Sequence, residues 1–321
     1  MASQIKARCQ QGSALLAVMW LVAALSAIAF SLASTVRGET ERTATSIDDA
    51  RAYYLATGAI DRAILYMEWG GKMYHPGMSF FEFPFETGQV RVEIISETAK
   101  LSVNSAKPEE IYKLLQILGA TEGNAQEITE AILDWRKPVP VDTTTPLDAY
   151  YRSLRPSFSA RHSSFVETEE LLLVKGMTPD LFYGTYEHVT PPNAKPRLVP
   201  RGGLRDCLSV YGSASSFDVN TAPPAVLATI GLAPDQVAAI IERRIREPFK
   251  SREELQQLGQ EGAYQRLHIG GNSIYTLRST ARLRLPSGGL SDLKRTVAAT
   301  VKFGLASIDT PEQTLRWYDR E

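Results

Sequence analysis

From Ser13 to Val36 no side chain carries a charge, and beyond that point the apolar residues change from a continuous run to a spaced one. The uncharged run is long enough to cross a hydrocarbon core of about 30 Å as one helix. Tyr53, Ala56, Ile60, Ile64 and Met67 then recur at steps of three and four, with Arg51, Asp61, Arg62 and Glu68 on other faces. That spacing predicts an amphipathic continuation. A single helix from Ser13 to about Glu68 measures about 80 Å, apolar all round in its first half and one-faced in its second. Gly70-Gly71 ends it. The alternative is an anchor followed by a separate helix, with Gly38 and Gly58 as the breaks.

The period then falls to two. Val90, Val92, Ile94 and Ser96 alternate with Arg91, Glu93 and Ile95 after a turn at Thr87-Gly88, which predicts a half-buried strand. Phe80–Phe85 is aromatic enough for a strand, but Pro84 confines it to an edge or a loop. Near the other end Tyr275, Leu277, Ser279, Ala281, Leu283 and Leu285 alternate with Arg278, Arg282 and Arg284, and Thr296–Phe303 runs back after Pro286-Ser287-Gly288-Gly289. A strand after the first helix and this terminal hairpin make one antiparallel sheet against that helix, an α+β fold with a helical region inserted.

The inserted region carries a repeat. Leu101-Ser102-Val103-Asn104-Ser105-Ala106-Lys107-Pro108 returns as Phe217-Asp218-Val219-Asn220-Thr221-Ala222-Pro223-Pro224. In each, Asn with Ser or Thr reads as a helix N-cap and the proline as a helix start. Helices are expected at Glu109–Leu118 and Asn124–Trp135 around Gly119, and at Pro224–Ile230 and Pro234–Arg246 around Gly231. A third helix, glycine turn and helix is expected over Glu169–Phe182 around Gly176. The prolines between Asp134 and Tyr151 predict a loop, and the proline-rich segment 190–200 a second linker.

Such units are helix-hairpin-helix-like, a form best known for holding DNA phosphates on backbone N–H groups. Charge argues against that use. Residues 217–259 carry five basic and six acidic side chains, and residues 101–137 four and six. The Gly231-Leu232-Ala233 turn also lacks a second glycine. Packing modules are the better reading, with Arg243, Arg244 and Arg246 on a solvated face and no nucleic-acid partner.

Composition adds limits. The 321 residues suffice for two domains, and 44% hydrophobic with 22% charged residues is ordinary globular material. Net charge is −1, which suggests no polyanionic partner. Of the two cysteines, Cys9 precedes the apolar run and Cys207 stands alone, so no internal disulfide is expected. His75, His162, His188 and His268 are isolated, there is no phosphate-binding Gly-Lys-Ser/Thr loop and no His-x-x-x-His pair, so the chain reads as a non-enzyme. Asp134, Asp142 and Asp148 are oxygen donors of the kind calcium takes, dispersed along one loop.

Lys6 and Arg8 precede the apolar run without an acid, which places the N-terminus in the cytoplasm and everything after Arg37 across the membrane. A short basic leader ending in Gly12, with Ser13 opening the apolar helix, resembles a prepilin peptidase site. Ser31-Leu32-Ala33 also fits a conventional signal cleavage, and an uncleaved anchor fits too.

In order, the Gly12/Ser13 site, the long helix, the Val-Asn-Ser-Ala and Val-Asn-Thr-Ala openings, Ile132-Leu133-Asp134-Trp135, the Glu169–Met177 segment and the terminal hairpin resemble the minor pseudopilin family called protein K of type II secretion. The resemblance implies a pilin-like fold divided into a leader (1–12), a membrane helix (13–36), a helix with first strands (37–100), an inserted all-α domain (101–205) and a completing helical hairpin and β-hairpin (206–321). It implies a tip subunit of the pseudopilus in the bacterial inner membrane and periplasm, acting in export of folded proteins. Its partners would be minor pseudopilins I and J, the inner-membrane assembly platform, the lipid bilayer and prepilin peptidase. Most pseudopilins carry Glu at the fifth mature position; here it is Ala17, as is typical of protein K. The family's acidic calcium loop matches Asp134–Tyr151, but Arg136-Lys137-Pro138 stands where acids cluster. The alternatives are a membrane-anchored DNA receptor and a type IV pilus minor pilin.

Overall fold

The computed structural model describes residues 2–140, 143–189, 195–259, 262–271, 273–304 and 312–319, with the side chains of all but residues 2–13 and Lys72. Helix α1 (Ala2–Glu68) is unbroken over 67 residues, about 100 Å. Neither Gly38 nor Gly58 interrupts it. Residues 14–37 are exposed throughout, including Trp20 and Phe30. The helix ends where Gly70 takes a φ of 64°, a backbone conformation that costs glycine little.

The second half of α1 lies on a five-stranded antiparallel sheet. Its strands are β1 (Phe80–Phe85), β2 (Gly88–Ser96), β9 (Ile274–Leu283), β10 (Arg295–Phe303) and β11 (Glu312–Tyr318), in the order β1-β2-β9-β10-β11. Strands β3 to β8 lie in the region between, described below. Pro84 stands in β1 at the sheet edge, where a missing N–H breaks no ladder bond. The ladder pairs Ile94 with Leu277 and Leu277 with Ala299, so these side chains share the face under the helix. Strand β11 was not anticipated, because Glu312-Gln-Thr-Leu-Arg-Trp-Tyr shows no alternation of apolar and polar positions. Leu285, assigned to the hairpin strand, lies beyond β9 and is exposed.

The helix meets the sheet through small residues. Ala52, Ala56, Ala59, Ile60, Ala63 and Met67 are buried, while Tyr53 and Ile64 sit at the margins. Alanines let the helix backbone come close enough for the Ser279 hydroxyl to donate to the Ala56 carbonyl at 2.8 Å.

Between β2 and β9 the chain forms a second core. Strand β3 (Leu101–Ser102) leads to α2 (Pro108–Ile117), α3 (Glu122–Arg136), α4 (Pro146–Ser153) and α5 (Pro179–Tyr183). Then come β4 (Thr185–Val189), β5 (Arg197–Arg201), α6 (Leu204–Cys207) and β6 (Leu208–Ser209). Strand β7 (Phe217–Asp218) opens the repeat, followed by α7 (Pro224–Thr229), α8 (Pro234–Arg246), α9 (Arg252–Leu258) and β8 (Leu267–His268). One hydrophobic cluster runs from Ala99 to Leu267 and includes both repeat units, so this core continues across position 205.

Several expectations change. The Asp134–Tyr151 stretch is not all loop, because Pro146 takes the first position of α4, where proline is tolerated. Residues 197–200 are strand, paired with β4. In the third unit the first helix is a short 3₁₀ turn, Thr168–Leu173: Glu170 bends back to accept from the Val166 and Glu167 N–H groups, and Gly176 follows at φ 83°.

Candidate functional site

The two repeat units share one internal buckle. Asn104 donates to the Phe165 carbonyl at 3.0 Å and accepts from the Phe165 N–H at 2.7 Å. Asn220 does the same with Phe249, at 2.9 Å in both directions. Arg136, the last residue of α3, donates to the carbonyls of Val103 and Ala106, each at 2.8 Å. Arg244, in the last turn of α8, donates to Val219 and Ala222 at 2.9 and 2.7 Å. Each unit thus closes its opening turn with one asparagine and one arginine, satisfying buried main-chain groups that would otherwise go unpaired.

This geometry corrects two readings. The asparagines are not N-caps: the cap positions are Lys107 and Pro223, and the asparagine amides reach across to the loop residues Phe165 and Phe249 instead. The arginine cluster is not uniformly a solvated face, because Arg244 turns inward, and burial lowers its pKa from the ordinary arginine value. Arg246 remains outside, paired with Glu242. The signal was present in the sequence as Asn at matching repeat positions and Arg near the end of each second helix, but both residue types are read first as surface chemistry.

A second polar centre joins the helical core to the sheet. Glu97, buried just after β2, accepts from Lys100 Nζ at 3.0 Å and from the Thr276 hydroxyl at 2.7 Å, and also from the Ser209 hydroxyl. Burial pushes its carboxyl up, but Lys100 and the two hydroxyls outweigh that and hold it below the ordinary value. Thr276 in turn meets Thr300 at 2.9 Å. Arg316 of β11 pairs with Glu169 at 2.9 Å and Glu167 at 3.4 Å, closing the same cleft from its other side. Sequence reading missed Glu97 because a lone glutamate at a strand end carries no spacing signal.

The candidate calcium ligands are partly brought together. Asp148 is buried and caps α4, accepting the Thr145 N–H at 2.8 Å. His162 Nε2 lies 3.1 Å from both Asp148 carboxylate oxygens, and Nδ1 lies 3.2 Å from the Asp134 carbonyl. The Asp134 carboxylate accepts from the Thr145 hydroxyl at 3.1 Å. Burial raises the Asp148 carboxyl, yet the Thr145 N–H and His162 hold it below its ordinary value. Asp142 lies outside the described residues. Among the described residues no three His, Cys, Asp or Glu side chains are grouped to hold a metal ion. Among the described residues the Asp148 carboxylate is already engaged by the Thr145 N–H and the His162 ring, which argues for a capping role over a place among the six to eight oxygens that calcium takes.

Gly12, Ser13 and Ala17 all lie within α1, and the Ala17 side chain is exposed. Cys207 is buried, and that burial, with Asp206 beside it, pushes its thiol up to about 12, so it is not a reactive thiolate.

Comparison with known proteins falls on the same regions. Residues 92–191 and residues 217–267 each match a family model described as type II secretion system (T2SS), protein K. No curated protein matches the chain in sequence. Among solved structures the chain is similar to one in the crystal structure of the GspK-GspI-GspJ complex from the enterotoxigenic Escherichia coli Type 2 Secretion System. The TM-score is 0.52 at 15% identity, covering 87% of this chain and 99% of that one. At that identity the likeness is one of fold.

Proposed function

The chain belongs to the type II secretion system protein K family, whose members are minor pseudopilins, and on that premise we propose that it caps the tip of a periplasmic pseudopilus. The observation that carries this reading is α1: one unbroken helix whose first half is apolar and exposed and whose second half is the buried spine of a sheet domain. A helix greasy all round suits lipid or a bundle of like helices, and the alanine face fixes the folded domain rigidly to it. One such helix fits a single-pass protein of the inner membrane. Lys6 and Arg8 favour a cytoplasmic N-terminus, with the sheet and helical core in the periplasm.

The partners we infer are minor pseudopilins I and J, by analogy with the complex whose fold this chain shares, together with the inner-membrane platform. Its contribution to export of folded proteins is structural. Ala17 supports a terminal position, since a carboxylate there would find no neighbouring amino terminus to neutralise, and an unpaired buried charge is costly. Maturation by prepilin peptidase after Gly12 would leave Ser13 first.

N-terminal sequencing of the membrane-extracted protein, with and without active prepilin peptidase, tests this. A mature chain starting at Ser13 only when the peptidase works supports the reading. A start near Ser34, or Met1 in both strains, removes it.

A further inference from the structure

Strand β1 leaves one side of the sheet open. It pairs with β2 alone, as the last strand in the sheet order. The Ser79 carbonyl accepts from Ile94 N–H at 2.8 Å and so faces β2. By the alternation of an antiparallel ladder, the main-chain groups of Phe81, Phe83 and Phe85 face β2 as well, and those of Phe80, Glu82 and Pro84 face outward. Pro84 has no N–H to offer, which leaves Phe80 and Glu82 with outward donors and acceptors. Natural proteins usually blunt such an edge with charge, proline or cover. Here the proline stands at the hairpin end, and Glu82 is the one charge in the strand.

The open edge forms one wall of a groove of about 820 Å³, and the C-terminal end of α8 forms the other. Ile245 on that far lip is 77% exposed and Phe80 on the near lip 38%. The charges lining the groove are unbalanced: Arg62, Arg91, Arg244, Arg246 and Lys250 reach it against one carboxylate, Glu82, and of these Arg244 is already committed to the Val219 and Ala222 carbonyls. The Arg91 guanidinium lies 3.8 Å from the Phe80 ring centroid, and its pairing to Glu82, at 3.4 Å, is exposed. Arg246 and Lys250 are held only by exposed pairs with Glu242 and Glu247, which contribute little and yield to a better placed carboxylate.

We propose that this groove is a docking site for an extended segment of a partner protein, alternating acidic and apolar residues, that adds to the sheet along the outward edge of β1. Strand addition uses main-chain hydrogen bonds for affinity and alternate side chains for specificity. The outward groups of Phe80 and Glu82 supply the former. Ile245 and Phe80 receive the apolar positions, and the surrounding guanidinium and ammonium groups the acidic ones. The inference does not depend on the secretion role.

The test uses the full chain in detergent and a fluorescein-labelled eight-residue peptide alternating Glu and Val, followed by anisotropy. The acidic peptide is expected to bind, with its Lys-for-Glu counterpart weaker by about tenfold or more. Glu82→Pro removes an outward N–H without costing a sheet bond and should weaken the acidic peptide by about tenfold, whereas Glu82→Gln keeps that N–H and should retain binding. Ile245→Glu, on the opposite lip, should weaken it without touching the sheet. Amide exchange at residues 80–83 should slow on binding. No binding at millimolar peptide, equal affinity for the Lys peptide, or indifference to both Glu82→Pro and Ile245→Glu would overturn the proposal. Slowed exchange at β11 instead, or pairing of two copies through β1 in sedimentation, would do so too.

Discussion

Glu97 accepts a 2.7 Å hydrogen bond from Thr276, and that contact joins the two hydrophobic cores of the protein. Lys100 and Ser209 reach the same carboxylate from the helical side, so one buried anion is shared between layers that otherwise bury separate apolar sets. Removing one member of such a group leaves the rest desolvated and unpaired. Glu97→Ala is expected to cost about 3–5 kcal/mol, and Thr276→Val about 1 kcal/mol. Denaturant unfolding of the full chain in detergent measures both. The pH dependence follows from the lowered pKa of Glu97. A depressed carboxyl stabilises the fold fully above its ordinary value, and that stabilisation is lost as pH falls below it toward the folded pKa. Wild type should therefore lose more stability than Glu97→Gln on acidification from pH 5 to pH 3.

Asn220 and Asn104 perform equivalent tasks and should respond equivalently. Substituting either by alanine strands a buried N–H and C=O, of Phe249 or Phe165, for an expected cost of about 2–4 kcal/mol each. Arg244→Lys should also destabilise, by about 1–2 kcal/mol, because one Nη1 reaches both carbonyls from the end of the arginine side chain and the shorter lysine does not place its ammonium there. Thermal unfolding reads the loss. A gel shift at low salt separates this role from phosphate binding: no DNA complex is expected for wild type, and Arg244→Ala should change nothing there.

How much of this was readable beforehand depended on whether a residue's role was periodic. The long helix, the Val90–Ile94 strand and the terminal hairpin were legible because their apolar positions keep a period of 3.6 or 2. Of the expected stripe Tyr53, Ala56, Ile60, Ile64 and Met67, the residues Ala56, Ile60 and Met67 lie in the contact, while Ala52, Ala59 and Ala63, which score weakly as hydrophobic, complete it in place of Tyr53 and Ile64. The repeat was legible as Val-Asn-Ser/Thr-Ala, but the partners of its asparagines lie 61 and 29 residues away, a distance no local pattern encodes. Glu97, His162 and β11 were invisible for the same reason: each is defined by what folds against it.

Glu68, at the end of α1, is raised to about 7 by burial, by a hydrogen bond with Glu312 and by that residue's charge. A carboxyl whose folded pKa is raised sits more comfortably protonated. It costs the fold nothing below its ordinary value near 4.5 and progressively more as pH rises toward 7. Glu68→Gln removes the charge and offers an N–H to the Glu312 carboxylate, so it should raise the melting temperature at pH 8 and leave it unchanged at pH 4. A melting series across that range, with Glu312→Gln as the reciprocal variant, checks the sign. A gain at low pH instead would mean that the two carboxyls do not share the site.

Asp148 makes the final prediction, because it separates a structural acid from a metal ligand. Its carboxylate already takes the Thr145 N–H and His162, and Asp134 is turned toward the Thr145 hydroxyl. The two His162 nitrogens lie against the Asp134 carbonyl and the Asp148 carboxylate, so the ring fills the space beside that carboxylate. A cation entering beside Asp148 would have to displace the Thr145 N–H and the His162 ring. Millimolar calcium is therefore expected to leave the melting temperature of the full chain unchanged and to give no heat on titration. Asp148→Ala should cost about 1–3 kcal/mol by stranding the Thr145 N–H and the imidazole, with or without calcium. A calcium-dependent rise in melting temperature that Asp148→Ala abolishes would show that the loop rearranges to bind the ion, and would displace the capping role argued for this residue.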